Sequence, residues 1–182
     1  IKNDPFRKLV LPQYLSNASA KALSVDDIRK IIDFEIPKKI GYRLSTMNDG
    51  KDYFLLSFYL LGINPVDMYH LTKEQYNNGR ITYSRRKTQR RVGGSEISIP
   101  VCDKARELIE KHKGRGEWLL DMQQNYNKVE GVVSMVSKVL DNIYSLMDLG
   151  IDEDKFTWYS ARHTWASIAA NECHYSDAEV AR

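Results

Sequence analysis

The sequence predicts an α+β fold, mostly helical with one small antiparallel sheet. Apolar residues recur at three- and four-residue steps over most of the chain, the period of a helix face. Two short stretches on either side of a glycine pair instead alternate polar and apolar residues, the period of a half-buried strand. With 182 residues, 42% hydrophobic and 28% charged, the chain can bury a core as one domain, or as one domain plus a leader. That composition excludes a disordered chain, a collagen-like chain and a coiled-coil rod. The longest apolar run, Tyr53 to Ile63, is interrupted by Ser57 and Gly62 and falls far short of the roughly 20 residues that span a bilayer.

Residues 1–23, with Asp4-Pro5, Leu11-Pro12 and Ser16-Asn17-Ala18-Ser19, read as an irregular leader or interdomain linker. Ser24 is placed to cap a helix that carries Asp26 and Asp27 in its first turn and Ile28, Ile31 and Ile32 on one face. Lys51 to Leu61 is apolar nearly all round and predicts a central buried helix, ended by Gly62. Asn64-Pro65 restarts the chain as a short helix over Val66 to Leu71. Arg80 to Tyr83 and Glu96 to Pro100 are the two strands of a hairpin with Gly93-Gly94 in its turn.

A helix from Asp103 to about His112 follows, its inner face made by Ala105, Leu108 and Ile109. Val132, Val136, Val139, Leu140, Ile143 and Met147 define a strongly amphipathic helix that ends by Gly150, and Tyr159 to Asn171 define another. Ser176-Asp177-Ala178-Glu179 is a capping box that opens a further helix three residues before Arg182. One turn is too short to be stable alone, and the chain starts with Ile1 rather than Met, so it is expected to be part of a longer protein. Ile1 to Pro5 lacks the basic-then-apolar pattern of a signal peptide.

The formal net charge is +3, and its distribution says more than its value. Gly79 to Arg91 reads GRITYSRRKTQRR, with six of the 27 basic residues and no acid, so the remainder of the chain is net −3. The hairpin tip thus carries Arg85, Arg86, Lys87, Arg90 and Arg91. A cationic tip of this kind is suited to a phosphate backbone or a groove of nucleic acid. Elsewhere the signals are weak. Cys102 and Cys173 form no CxxC pair and are expected to be buried thiols of a reducing compartment. His70, His112, His163 and His174 match no metal-ligand spacing, so no metal site is expected.

Three segments carry the chemical signal. They are Leu60-Leu61-Gly62-Ile63-Asn64-Pro65-Val66-Asp67-Met68-Tyr69-His70-Leu71, then Arg86-Lys87-Thr88, then Trp158-Tyr159-Ser160-Ala161-Arg162-His163-Thr164-Trp165-Ala166. Their order and spacing resemble the catalytic domain of the tyrosine recombinases, the phage-integrase family. That family has a Gly-Leu-Arg-x-x-Glu-Leu-x-x-Leu segment, a Lys-Thr-Gly hairpin and a His-x-Leu-Arg-His-Thr helix. The resemblance covers about residues 24–182, with residues 1–23 as the linker from an upstream core-binding domain.

The resemblance implies the fold of the DNA breaking-rejoining enzymes and a reaction without metal or other cofactor. In that reaction a tyrosine attacks a DNA phosphodiester to give a 3′-phosphotyrosyl link, and side-chain cations neutralise the pentavalent transition state. Arg162 matches the arginine of the last motif and Lys87 the hairpin lysine, the general acid for the departing 5′-hydroxyl. Asn64 stands at the family's first arginine and Tyr159 at the histidine before Arg162, both as in a divergent branch of mobile-element integrases. Asp67 matches the supporting acid of the first motif. Arg85, Arg86, Thr88, Arg90, Arg91 and His163 complete the expected DNA contacts.

The nucleophile is expected beyond Arg182, which leaves this stretch alone inactive and monomeric. The full-length protein is expected to be a cytoplasmic, DNA-associated bacterial recombinase that works as a homotetramer on double-stranded DNA, with no membrane association. The alternative is a non-catalytic nucleic-acid-binding module or regulator using the same basic hairpin. An RNA-processing protein is a weaker third reading, since no RNP-type aromatic pair or KH-type loop is present. If the resemblance holds, Asn64, Lys87, Tyr159 and Arg162 meet on one concave, positively charged surface.

Overall fold

The most apolar stretch of the sequence becomes the axis of the molecule. In the computed structural model, which describes residues 22–37, 44–86, 96–152 and 156–171, the described residues form seven α-helices and three strands. They are α1 (Val25–Asp33), α2 (Leu44–Tyr59), α3 (Pro65–Tyr69), β1 (Tyr76–Asn77), β2 (Arg80–Ser84), β3 (Glu96–Pro100), α4 (Asp103–Lys111), α5 (Met122–Asn125), α6 (Val129–Leu146) and α7 (Ser160–Asn171). A 3₁₀ turn, Lys73–Gln75, precedes β1. The fold is therefore α+β, mostly helical, with an antiparallel sheet in the order β1-β2-β3. No helix among the described residues is long and apolar enough to cross a membrane.

Helix α2 packs against α4, α6 and α7. Tyr53, Phe54 and Leu56 are among the largest fully buried side chains, as expected of a helix apolar on most of its circumference. It begins at Leu44, seven residues earlier than the apolar run suggests. The polar, glycine-containing first part is helical because tertiary packing needs it: a methyl at Gly50 would lie 2.7 Å from Val139 Cβ, where α6 crosses. Lys51, at the start of the apolar run, donates to the carbonyls of Ile32 (2.9 Å) and Phe34 (2.6 Å) and so closes the end of α1. At the other end of α1, Ser24 Oγ accepts from Asp27 N, the expected cap. Leu23, the last residue of the expected leader, is already buried, and its N–H donates to Thr164 Oγ1 on α7.

The hairpin pairs Arg80 with Pro100 and Ser84 with Glu96, and Ile81 and Ile99 sit opposite each other on its buried face. The third strand, β1, pairs Tyr76 with Ile81. Two residues are too few to show a period, and the sequence signal for this strand is instead Asn78-Gly79, whose positive φ values (51° and 71°) make the two-residue turn between β1 and β2. The buried face of α6 is Val132, Val136, Val139, Leu140 and Ile143, as its periodicity requires, with Met147 beyond the helix end and half-buried. One expectation fails. Cys102 is exposed, because it occupies the N-cap of α4, outside the packed face of that helix. Cys173, residues 87–95 of the hairpin and the capping box at Ser176 lie outside the described residues.

Candidate phosphate site and nucleic-acid interface

The site is assembled at a turn. After α2 the chain reverses through Leu61 (φ 57°) and Gly62 (φ 70°), and the N–H of Gly62 donates to the carbonyl of Ser57. Ser57 Oγ, fully buried, donates to the carbonyl of Ile63, which fixes the exit from the turn. Asn64 then caps α3: its Oδ1 accepts from Val66 N at 2.9 Å, and Pro65 takes the first helical position. The cap occupies the acceptor end of the Asn64 amide and leaves the donor end.

Helix α7 is built to lie against this turn. Thr157 N donates to Ser160 Oγ at 3.0 Å, Trp158 is sunk into the core, and the small Ala161 and Ala169 are buried. Small residues let the helix come close, and Arg162 meets the turn. Arg162 Nη1 donates to the carbonyl of Gly62 at 3.1 Å, across 100 residues of sequence. A Cβ at Gly62 would stand 2.5 Å from Arg162 Cα and 2.7 Å from its Cβ. Gly62, expected only as a helix terminator, is thus required twice, for its positive φ and for this approach.

The hairpin supplies the third side. Asp67, on α3 and only 7% exposed, accepts at Oδ1 from the backbone N–H of Arg86 at 3.0 Å and stitches α3 to the end of β2. Arg80 is spent within the sheet, donating to Ser98 Oγ at 2.8 Å and to the Ser98 carbonyl at 3.0 Å. The other hairpin cations among the described residues are Arg85 and Arg86.

Arg162, Arg85, Tyr83, Asp67 and Tyr159 are close enough to act on one another's charge. Burial, and then the neighbouring Arg85, press the Arg162 pKa below the usual arginine value, while Tyr159, Tyr83 and Asp67 oppose the shift. The Tyr83 hydroxyl is pushed up to about 12, by burial and then by Asp67. A half-buried cation destabilised by desolvation and by a like charge gains when an anion arrives.

The structure thus brings Arg162 and Tyr159 together with Arg85, Asp67 and the turn that leads into Asn64. Tyr159 is 47% exposed and meets His163 edge to face, ring centroids 4.9 Å apart. Lys87, Thr88, Arg90 and Arg91 lie outside the described residues. Beside the site a polar cleft of about 330 Å³ runs between α3 and β2, bordered by Asp67, His70, Tyr83 and Arg86. Burial and then Arg86 hold the His70 pKa below its ordinary value, which favours the neutral ring. Sequence reasoning singled out neither Tyr83 nor His70. Tyr83 is visible in the sequence only as an inward position of a strand, and His70 as one residue of a motif. Among the described residues no cluster of three or more His, Cys, Asp or Glu is arranged to hold a metal ion. Comparison with protein-family models, with curated proteins and with solved structures gives no significant match.

Proposed function

We propose that this chain is the catalytic core of a tyrosine-type site-specific DNA recombinase or integrase of a mobile element. The observation that carries the reading is the meeting of three segments remote in sequence. The 60–71 segment, the end of the basic hairpin and the Arg162 helix join through the Arg162–Gly62 and Arg86–Asp67 hydrogen bonds. These are the segments that resemble the family's three motifs, and a shared phosphate site explains why they adjoin.

In the proposed reaction a tyrosine gives its hydroxyl proton to solvent, and its oxygen bonds to the scissile phosphorus as the bond to the 5′-oxygen breaks. Lys87 gives a proton to that oxygen, and the product is a 3′-phosphotyrosyl link with a free 5′-hydroxyl. Arg162 offers its remaining N–H donors to the equatorial oxygens of the phosphorane, with charge that never has to be acquired. Tyr159 and the Asn64 amide supply uncharged donors to the same oxygens. Arg85, Arg86, Thr88, Arg90, Arg91 and His163 hold the backbone of double-stranded DNA, and the full-length protein acts as a tetramer in the cytoplasm.

The test is a nicked suicide duplex carrying the protein's target site, incubated with the full-length protein. A covalent protein–DNA adduct that resists denaturant is the expected result; DNA binding without any adduct rejects the reading. One observation favours a non-catalytic DNA-binding module instead. Asn64 is committed to capping α3, so the position of the first arginine holds no charge. On that alternative the gel shift persists and no adduct forms.

A further inference from the structure

We infer that Gly62 is a positioning residue for Arg162, so that the turn after α2 fixes where the guanidinium stands; this rests on the reading of Arg162 as the phosphate-binding cation. A guanidinium on a flexible stem has many rotamers, and transition-state stabilisation needs it held in one place. Two features of Gly62 do this. Its carbonyl accepts from Arg162 Nη1 at 3.1 Å, which takes up one guanidinium nitrogen and orients the rest of the planar fork. Its missing side chain lets the turn approach the root of the Arg162 side chain, where a Cβ would stand 2.5 Å from Cα, 2.7 Å from Cβ and 2.9 Å from Cγ. The backbone of the turn is itself braced. Gly62 N–H donates to Ser57 O at 2.9 Å, and the buried Ser57 hydroxyl donates to Ile63 O at 2.8 Å. The carbonyl is therefore a fixed peg rather than a mobile acceptor.

The consequence is a specific coupling. Gly62→Ala moves the turn and α7 apart, breaks the hydrogen bond to the carbonyl and frees the guanidinium to wander, while most cations that hold DNA are untouched. The rate of covalent adduct formation on the nicked duplex is expected to fall tenfold or more in Gly62→Ala, with DNA affinity changed less than threefold. The decisive comparison repeats Gly62→Ala in an Arg162→Ala background. The added methyl still meets Cα and Cβ of residue 162 there, so any general structural damage persists, but no guanidinium remains to be misplaced. A positioning role predicts no further loss of rate in the double variant. An additive loss, or full speed in Gly62→Ala alone, overturns the proposal.

If Gly62→Ala does not fold, Gly62→Asn presents the same Cβ with a side chain that tolerates positive φ, and it takes the alanine's place in the cycle. A second readout does not depend on catalysis. The Arg162 Nη protons should exchange slowly with solvent in the wild-type chain and rapidly in the Gly62 variant. If the wild type forms no adduct, the recombinase reading fails, and the exchange rates alone decide the latch. Rapid exchange in the wild type would overturn it.

Discussion

In the proposed recombinase, Arg162 is the residue on which ground-state binding and catalysis part company. There it is one cation among several near the DNA, so Arg162→Ala should weaken binding only modestly. Its alignment with the phosphorane should instead lower the barrier by about 2.7–4 kcal/mol, roughly 100- to 1,000-fold in rate. With no charge at Asn64, the loss is expected at or beyond the upper end, read as adduct formed per minute beside a gel-shift titration. Asn64 tests the opposite direction. Because it caps α3, Asn64→Arg adds a cation at the cost of about 1 kcal/mol of stability, while Asn64→Ser keeps the cap and leaves the melting curve nearly unchanged. Adduct formation in Asn64→Arg should be equal to or faster than that of the wild type. A slower rate in a variant that still melts cooperatively would mean the position does not face the phosphate.

At the scale of elements, the hairpin and the α2–α4 junction make separate predictions. Replacing Arg85 and Arg86 by Ala should flatten the dependence of log affinity on log salt by about one unit for each phosphate that is no longer neutralised. An unchanged slope would reject the hairpin as a DNA clamp. At the junction, the buried His112 bonds Asp52 at 2.8 Å and pairs with Asp121 at 3.6 Å, and Tyr53 donates to Asp121 at 2.7 Å. Burial alone would lower the His112 pKa, but the adjacent Asp121 and Asp52 carboxylates, which favour the protonated ring, push it up to about 9. A folded pKa above the ordinary 6.5 means stability that is fully present below pH 6.5 and is lost as the pH rises through 9. Chemical denaturation from pH 6 to 10 should show that alkaline limb in the wild type and not in His112→Gln.

This junction also marks a limit of sequence reading. Helices with a clear apolar period, such as α6, are legible from spacing alone. A buried Asp–His–Asp bridge is not, since its members sit 60 and nine residues apart and look like ordinary surface polars. The first turns of α2 are equally hidden, because Gly50 and its polar neighbours break the period where packing against Val139 keeps the helix going.

Across the whole molecule, what the sequence shows best is order along the chain, and what it shows least is who approaches whom. The basic hairpin and the Arg162 helix are visible as strings of residue types. That Arg162 rests on Gly62, or that Asp67 accepts from the Arg86 backbone, follows only once α7 packs against α2 and β2 runs past α3. In the proposed recombinase this packing serves strand cleavage rather than DNA binding alone. The sharpest check pairs the wild-type full-length protein with Arg162→Ala on a nicked suicide duplex and separates the products under denaturing conditions. Expected are a protease-sensitive covalent protein–DNA band from the wild type and its near-absence from Arg162→Ala, although both shift the same duplex in a native gel. An equal band from both proteins, or a native shift with no covalent band from either, would show that the Arg162 site does not cleave DNA.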